Sequence, residues 1–342
     1  MENTQKDLEQ KNKELTSKDY YFDSYSHYGI HEEMLKDEVR TGSYYRAIIN
    51  NKHLFKDKIV MDVGCGTGIL SMFAAKAGAK KVIAIDFSNI IDHTNEIIKE
   101  NGYADVIKVI HKKVEDIGEL PEGIEKVDVI ISEWMGYCLL YESMLNTVIY
   151  ARDKWLTEEG IILPDKASLF IGGIEDSNYN NEKLEYWENV WGFKMTSIKK
   201  AVNIEPVIDI IEEKHVVTNY HELKQIDIKT VTLEELELKA PFLLQCDRNE
   251  YINGFVTFFT YTFSKCHVPI TISTGPESTY THWKQCIFFI KEPLTVYKDE
   301  TVKGIFKLKQ NNKNNRDLDI SIKYVFNGEI SKVAEKQKYR LR

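Results

Sequence analysis

Two glutamates, Glu133 and Glu142, are the residues of this sequence whose types and spacing best suit chemistry. The eight residues between them are aromatic, apolar or glycine, a composition unlike that of a solvated loop: Trp134, Met135, Gly136, Tyr137, Cys138, Leu139, Leu140 and Tyr141. Two carboxylates in an apolar setting are costly unless a cation lies between them, and a planar guanidinium fits such a fork best. The spacing therefore predicts a hairpin-like loop that aims both carboxylates into one pocket. The alternative is two unrelated acids, one capping a helix and one on a solvated face.

A second cluster is the glycine-rich loop Gly64–Gly68, which follows an apolar run and precedes a helical pattern. Glycines in such a loop let the backbone approach a nucleotide closely. The dinucleotide fingerprint G-x-G-x-x-G would need a glycine where Ile69 stands, which disfavours nicotinamide and flavin. The loop is typical instead of S-adenosylmethionine-dependent methyltransferases. Asp86, at the end of the next strand, could accept from ribose hydroxyls, and Glu115 from the adenine amino group.

A doubly wound α/β domain is predicted to position these groups. Apolar strands at 58–63, 81–86, 106–110 and 127–131 alternate with helical patterns at 69–77 and 89–100. Right-handed crossovers would place the strand C-termini on one rim, where such sheets bind ligands. The glycine loop, Asp86, Glu115 and Glu133 should therefore share that rim. A helical stretch at 31–50 is expected to divide at Gly42 and Ser43.

The pattern changes after Pro164 to strand-like alternation, which predicts an antiparallel barrel or sandwich. The segment 178–204 is aromatic and helical instead, which favours an arm that docks on another subunit. The expected organisation is a disordered tail at 1–19, N-terminal helices at 20–50, a Rossmann-like domain at 51–163 and a β-barrel domain at 164–342, with the arm at about 176–205.

Composition narrows the class of protein. The chain has 342 residues, 43% of them hydrophobic and 29% charged, as in an ordinary soluble globular protein. Its net charge of -8 argues against coating nucleic acid and suits a basic partner. Five widely spaced cysteines indicate neither a disulfide framework nor a zinc site. We expect no metal, no direct nucleic acid and no membrane contact, and a reducing compartment, cytoplasmic and nuclear.

Four motifs in order resemble those of the type I protein arginine N-methyltransferases. They are Tyr21-Phe22-Asp23-Ser24-Tyr25, the glycine loop, the double-glutamate loop Ser132–Glu142 and Thr281-His282-Trp283, and the resemblance runs from about Tyr20 to Arg342. It implies a Rossmann-like methyltransferase domain followed by an antiparallel β-barrel with an inserted helical dimerisation arm. It also implies methyl transfer from S-adenosylmethionine to arginine in Arg/Gly-rich proteins and histones. The products would be monomethyl- and then asymmetric dimethylarginine with S-adenosylhomocysteine, and the enzyme a homodimer, with a higher oligomer left open.

The resemblance also implies roles for individual residues. Arg40 would pair with the methionine carboxylate of the cofactor, and Asp86 stands where the family usually has glutamate, which bears on cofactor affinity. Cofactor-binding residues would be Tyr21, Tyr25, His31, Met34, Arg40, Asp62, Gly64, Gly66, Thr67, Gly68, Asp86, Glu115 and Met144. Substrate-binding residues would be Glu133, Glu142, Tyr137 and Trp283, and catalytic residues Glu133, Glu142, His282 and Asp37. The final proton could pass to Glu142, Glu133 or the Asp37–His282 pair.

Three other functions compete. A nucleic-acid or small-molecule methyltransferase would share the glycine loop, but the chain has no adjacent prolines of the kind that mark amino-methylating nucleic-acid enzymes. A dehydrogenase is disfavoured by Ile69. A catalytically inactive scaffold is disfavoured because Arg40, Glu133, Glu142 and His282 are all present.

Overall fold

The computed structural model describes residues 24–342, which form seven α-helices and fifteen strands. The predicted tail and Tyr21 lie outside this range. The chain divides into two units, each described below by itself. The first holds the chain up to Glu133 with Tyr150–Leu163 and Asn312–Arg316, and the second holds Trp134–Ile149, Pro164–Asn311 and Asp317–Arg342.

The first unit is built on a parallel five-stranded sheet, which confirms the predicted α/β fold. The strands are β1 (Ile59–Val63), β2 (Lys81–Asp86), β3 (Ile107–His111), β4 (Val127–Ile131) and β5 (Leu156–Leu163), in the order β3-β2-β1-β4-β5. The three central strands are largely buried, as expected for parallel strands covered on both faces. Because every pairing is parallel, the loops that follow β1, β2 and β4 emerge at the same rim.

The helices of the N-terminal half differ from expectation at one place. They are α1 (Tyr28–Lys36), α2 (Glu38–Ile49), α3 (Ile69–Lys76) and α4 (Ile91–Glu100); α5 (Met144–Trp155) follows and includes residues of both units. The predicted division at Gly42 and Ser43 is wrong, because the break falls at Asp37. The Asp37 carboxylate caps α2 by accepting from the backbone N–H of Arg40 at 2.9 Å. An N-cap carboxylate is a stronger boundary signal than one interior glycine.

The second unit consists of two antiparallel sheets, which confirms the predicted change of class after Pro164. Its strands are β6 (Lys166–Ile174), β7 (Val207–Asp209), β8 (His221–Asp227), β9 (Leu238–Gln245), β10 (Glu250–Phe263), β11 (Ile270–Ser273), β12 (Gln285–Val296), β13 (Thr301–Gln310), β14 (Leu318–Asn327) and β15 (Lys332–Leu341). One sheet has the order β7-β12-β10-β6-β8 with β11 on β10, and the other β15-β14-β13-β9. Buried aromatic rings on the inner faces form its core.

A helical segment interrupts the strands between β6 and β7. It comprises α6 (Ser177–Lys183), a 3-10 turn (Glu185–Glu188) and α7 (Thr196–Val202). Trp191 and Phe193 between the helices are 93% and 71% exposed. The predicted helical character is therefore confirmed, and Trp191 and Phe193 face outward, whereas Tyr179 packs against the core of the unit.

Candidate active site

The glycine loop links β1 to α3 in a conformation that two of its glycines make possible. Gly66 and Gly68 have φ angles of 51° and 80°, in the left-handed region. A Cβ on Gly66 would come within 3.2 Å of the His31 ring, and one on Gly68 within 3.0 Å of Thr94 Cγ2. A side chain at Gly66 or Gly68 would therefore be strained, and the main chain at these two positions stays without one.

Asp62 lies in β1 directly below this loop and has one unsatisfied oxygen. Its Oδ2 accepts from the Ser71 hydroxyl at 2.6 Å, whereas Oδ1 is buried and accepts no hydrogen bond within the described residues. Burial raises the pKa of Asp62 to about 7, with Asp86 adding to the rise and the Ser71 bond opposing it. A buried acceptor of this kind is suited to an amine or hydroxyl donor.

Asp86 ends β2 and already closes the glycine loop. Its Oδ2 accepts from Gly66 N at 2.9 Å, and its Oδ1 from the backbone N–H and hydroxyl of Ser88 at 2.8 and 2.7 Å. Since a carboxylate offers about four acceptor positions, room remains for one further donor. Glu115, the predicted adenine contact, is exposed in a 3-10 turn after β3.

His31 and Tyr25 form a second wall of the loop. The buried His31 ring lies against Gly66, and its Nε2–H donates to the Tyr25 carbonyl at 2.8 Å. Burial lowers the pKa of His31, which the Tyr25 bond partly offsets, so the ring is neutral at neutral pH. Met34 is half-buried in the same helix. Of the predicted lid residues in the described range, His31 lies against the glycine loop and Tyr25 contacts His31, whereas the cofactor contacts of all three stay a prediction.

The central polar contact of the first unit joins Arg40 to Glu133. The Nε and Nη2 groups of Arg40 donate to the same oxygen, Glu133 Oε2, at 2.9 and 2.8 Å. Both side chains are less than a tenth exposed, at 8% and 9%. The other carboxylate oxygen, Oε1, accepts no hydrogen bond within residues 24–342. Sequence reasoning placed both residues in the site but missed their pairing, because 93 residues separate them.

The backbone before Glu133 is fixed from three directions. The Tyr44 hydroxyl donates to the Ser132 carbonyl at 2.9 Å, and the Ser132 hydroxyl to the Val63 carbonyl at 2.8 Å. Ser132 N donates to the Leu163 carbonyl at 3.2 Å. These bonds hold Glu133 at the rim that also carries Gly64–Gly68 and Asp86.

The double-glutamate loop continues in the second unit, where it is a tight apolar hairpin. Gly136 N donates to the Leu139 carbonyl at 3.0 Å, and the two residues form an isolated bridge. A Cβ on Gly136 would lie 2.1 Å from the Tyr141 carbonyl oxygen. The side chains of Trp134, Met135, Cys138, Leu139 and Leu140 are buried. The predicted hairpin-like loop is confirmed, although Tyr137 and Tyr141 stay half-exposed with their rings stacked at 6.1 Å.

Glu142 ends this loop in a strained conformation. Its φ is 71°, and that of Ser143 is 58°, both in the region that favours glycine. Burial, with the Glu142 carboxylate as the next cause, raises the pKa of Tyr141 to about 12. Strained backbone conformations of this kind cluster at active sites. Met144 follows, half-buried at the start of α5.

Trp283 holds the loop from the strand side of the same unit. Its indole N–H donates to the Met135 carbonyl at 2.8 Å, and its ring packs edge-on against Phe259 and Tyr261. His282 is half-buried with its ring 4.2 Å from that of Trp283. The structure therefore gives Trp283 a positioning contact that the sequence did not reveal, and its predicted substrate contact stays a prediction.

Several predicted partners belong to different units. Glu133, Asp37, Arg40 and the glycine loop lie in the first, and Glu142, Met144, Tyr137, His282 and Trp283 in the second. The convergence of Glu133 with Glu142, and of Asp37 with His282, accordingly stays a prediction.

The residues of the first unit fit S-adenosylmethionine. The unsatisfied Asp62 Oδ1 suits the amine of its methionine part, and the main chain of the glycine loop carries no side chain at Gly64, Gly66 and Gly68. Arg40 supplies a nearly buried guanidinium, a group suited to a carboxylate. Among residues 24–342, no group of three or more His, Cys, Asp or Glu could hold a metal ion, and no helix is long and apolar enough to cross a membrane.

Comparisons with known proteins agree with this arrangement. Residues 165–329 match the family described as the arginine methyltransferase oligomerization subdomain, and residues 47–169 match that of the ribosomal protein L11 methyltransferase (PrmA). The chain is 56% identical to protein arginine N-methyltransferase 1 of Caenorhabditis elegans over 329 residues, 96% of this chain and 94% of the relative. It is 51% identical to protein arginine N-methyltransferase 8-B of Danio rerio, over 96% of this chain and 78% of the relative.

Solved structures give the same result. The Trypanosoma brucei PRMT1 enzyme-prozyme heterotetrameric complex with AdoHcy matches with a TM-score of 0.89 and 46% identity, over 93% of this chain and 100% of that chain. Protein arginine methyltransferase 10 of Arabidopsis thaliana matches with a TM-score of 0.84 and 29% identity, over 94% and 100%. The fold and its glycine loop define an S-adenosylmethionine-dependent methyltransferase. The chain belongs to the protein arginine N-methyltransferase family.

Proposed function

We propose that this protein is a type I enzyme, which methylates arginine in Arg/Gly-rich proteins and histone tails to monomethyl- and then asymmetric dimethylarginine. The observation that supports this most is the pairing of a guanidinium with Glu133. Arg40 shows that the Glu133 carboxylate accepts a guanidinium in a nearly buried setting. Glu133 Oε1 is left for a second one, that of the substrate.

The roles of the chain's own residues follow from their chemistry. S-adenosylmethionine, when bound, supplies an electrophilic methyl group on a positively charged sulfonium. Guanidinium is a weak nucleophile because its lone pairs are delocalised and it stays protonated at neutral pH. Glu133 and Glu142 would orient one terminal nitrogen by charge-assisted hydrogen bonds and offset the positive charge beside the sulfonium. Alignment of this kind is the main requirement of an in-line displacement.

Arg40 acts in this proposal as a positioning residue for Glu133 and as the partner of the methionine carboxylate. Its Nη1 donates to the Met34 carbonyl and the Thr41 hydroxyl, both at 3.3 Å, which are long hydrogen bonds to neutral acceptors. That group can turn to a stronger carboxylate acceptor while Nε and Nη2 keep Glu133 in place. Asp62 would take the amine, and Asp86 a ribose hydroxyl. His282, alone or with Asp37, would orient a glutamate or accept the final proton.

The direct test is incubation with labelled S-adenosylmethionine and an Arg/Gly-rich peptide, with a Lys-for-Arg peptide as the control. We expect label in the arginine peptide alone, and acid hydrolysis should yield asymmetric dimethylarginine. Symmetric dimethylarginine as the product would overturn the type I assignment. Label in the lysine peptide at a similar rate would overturn the roles of Glu133 and Glu142.

A homodimer formed through the helical arm is part of the same proposal. It is supported by the exposed aromatic residues of the arm and by the match of residues 165–329 to an oligomerization subdomain. The Trypanosoma brucei relative is a heterotetrameric complex, which shows that this fold assembles in at least one related protein.

A further inference from the structure

The outer face of the four-stranded sheet is strongly basic. The strand registers place nineteen side chains on this face, in five rows across the sheet. Nine of them are lysine or arginine and all nine are exposed: Lys239, Lys303, Lys307, Lys309, Lys323, Lys332, Lys336, Lys338 and Arg340. The only acid among the nineteen is Asp319, which pairs with Arg340 at 3.0 Å. We call these nine residues the basic face.

This concentration of charge is unlike the rest of the protein. The whole chain holds 45 Lys and Arg against 53 Asp and Glu, so an average patch would have slightly more acids than bases. The face has a net charge of +8, so the remainder of a chain whose total is -8 has a net charge of -16. None of the eight lysines forms an ion pair within residues 24–342. Like charges held together without partners raise the energy of the free protein, which an anionic partner would relieve.

The cations lie in lines along two strands. On β15 they are Lys332, Lys336, Lys338 and Arg340, and on β13 they are Lys303, Lys307 and Lys309. Alternate residues of a strand are about 7 Å apart, and β13 and β15, with β14 between them, are about 10 Å apart. Two parallel rows of cations, each interrupted once by an uncharged residue (Ala334 and Ile305), match the form of a linear polyanion.

The chemistry of the face favours nucleic acid over the other polyanions. A stable protein interface would need aromatic or arginine anchors at its centre, and the face has no aromatic side chain and only Arg340 at its corner. A membrane-binding face would add Trp or Phe for insertion, and these are likewise absent from the nineteen positions. Lysine point charges in rows suit phosphates, which contribute affinity without reading bases.

We propose that the basic face binds the phosphate backbone of nucleic acid without base specificity. The expectation of no direct nucleic acid rested on the charge of the whole chain, which averages a basic face with an acidic remainder. The binding site is formed by the second unit alone. It involves none of the residues assigned to cofactor, substrate or catalysis, so it is independent of the proposed methyl transfer.

The test uses the full chain and fluorescent 20-nucleotide RNA, single-stranded and duplex, at 50 and 200 mM salt. We expect micromolar binding of at least one form at the lower salt and a drop of tenfold or more at the higher, as counterion release requires. The variant Lys303→Gln/Lys307→Gln/Lys336→Gln/Lys338→Gln should weaken binding by tenfold or more. The matched control Lys56→Gln/Lys76→Gln/Lys80→Gln/Lys108→Gln removes the same charge from exposed positions of the first unit and should change binding by less than twofold.

Two further measurements test the role of charge and distinguish nucleic acid from other anionic partners. Lys→Arg at the same four face positions keeps the charge and should keep binding, which guards against a folding defect in the glutamine variant. Polyglutamate of equal charge and vesicles with one-third phosphatidylserine should bind more weakly than RNA. Absence of RNA binding, an equal loss in the control variant, or tighter binding of polyglutamate or vesicles would each overturn the proposal.

Discussion

The ion pair of Arg40 and Glu133 has two functions that mutation can separate. It fixes Glu133 Oε2, and it neutralises a guanidinium that is almost fully buried. Removal of one member of such a pair leaves an uncompensated charge, which is costly. Glu133, the acid that we assign to substrate binding, therefore also contributes to the stability of the first unit.

We expect Glu133→Gln to reduce both turnover and stability. Turnover should fall by about a hundredfold or more, as is typical when a group that stabilises developing charge is removed. The free energy of unfolding should fall by roughly 2 kcal/mol, because Arg40 keeps its charge while its partner becomes neutral. Cofactor affinity, measured by calorimetry, should change far less than turnover.

The double variant Arg40→Gln/Glu133→Gln is the control for stability. It should recover part of the loss, because no buried charge is then unpaired. Additive losses in urea unfolding would contradict the pairing. Near wild-type turnover in Glu133→Gln, or in Glu142→Gln, would contradict the catalytic role assigned to that residue.

Asp62 should make the cofactor-free protein less stable as pH rises. Its pKa is raised by burial to about 7, against an ordinary value of ~3.9 in the unfolded chain. Between these two pKa values the folded protein keeps a proton that the unfolded chain has lost. The resulting stabilisation of the folded state is complete below pH ~4 and is lost as pH rises to 7. From pH 5 to pH 8 the loss should be about 2.5 kcal/mol.

The comparison with Asp62→Asn isolates this effect. Urea unfolding at pH 5 and pH 8 should show a stability difference between wild type and variant that shifts by about that amount in favour of the variant. A difference independent of pH would mean that Asp62 is ionised throughout. Saturating S-adenosylmethionine should reduce the shift, since its amine would favour the ionised carboxylate.

At the scale of elements, the double-glutamate loop depends on one glycine. Gly136→Ala would place a Cβ 2.1 Å from the Tyr141 carbonyl oxygen, so the backbone must move. We expect a loss of stability of about 2 kcal/mol or more and a larger fall in turnover, since Glu142 lies one residue beyond Tyr141. Gly118→Ala is the matched control, because a Cβ there meets nothing within 4 Å. Equal effects of the two substitutions on turnover would contradict this role of the loop.

Sequence patterns predicted the strands whose residues form a mostly apolar run. β1, β2 and β4 were predicted because parallel strands that are buried on both faces consist mostly of hydrophobic residues. β15 was missed because lysines fill the outward positions of the strand and only its second half is well buried on the inner face. Strand propensity is weak for such a composition, and the register with β14 determines the structure.

Within the site, sequence identified residues and not their contacts. Gly64–Gly68, Asp86 and Glu133 were placed on one rim because the topology of a parallel sheet fixes it. The pairs Arg40–Glu133 and Trp283–Met135 join segments distant in the chain, and no local pattern encodes them. Asp37 shows a related difficulty, since a capping acid and a catalytic acid look alike in sequence.

At the scale of the whole molecule, the helical arm exposes large apolar side chains, which the packing of a single chain does not explain. Trp191 is 93% exposed, and Phe193, Tyr186 and Ile204 are each more than half exposed. Large aromatic side chains so close together in sequence are characteristic of interfaces, where a few of them supply most of the binding energy. The exposed arm therefore predicts a dimer whose affinity depends on these rings.

We expect Trp191→Ser/Phe193→Ser to dissociate the dimer. Loss of two aromatic anchors, at ~2 kcal/mol or more each, should raise the dissociation constant by about a thousandfold, because every 1.4 kcal/mol is a factor of ten. Sedimentation velocity at micromolar concentration should then show a dimer for the wild type and a monomer for the variant. Val268→Ser, at a residue 70% exposed outside the arm, should leave the dimer intact. A wild-type monomer, or a variant that stays dimeric, would show that the arm's aromatic residues serve another contact.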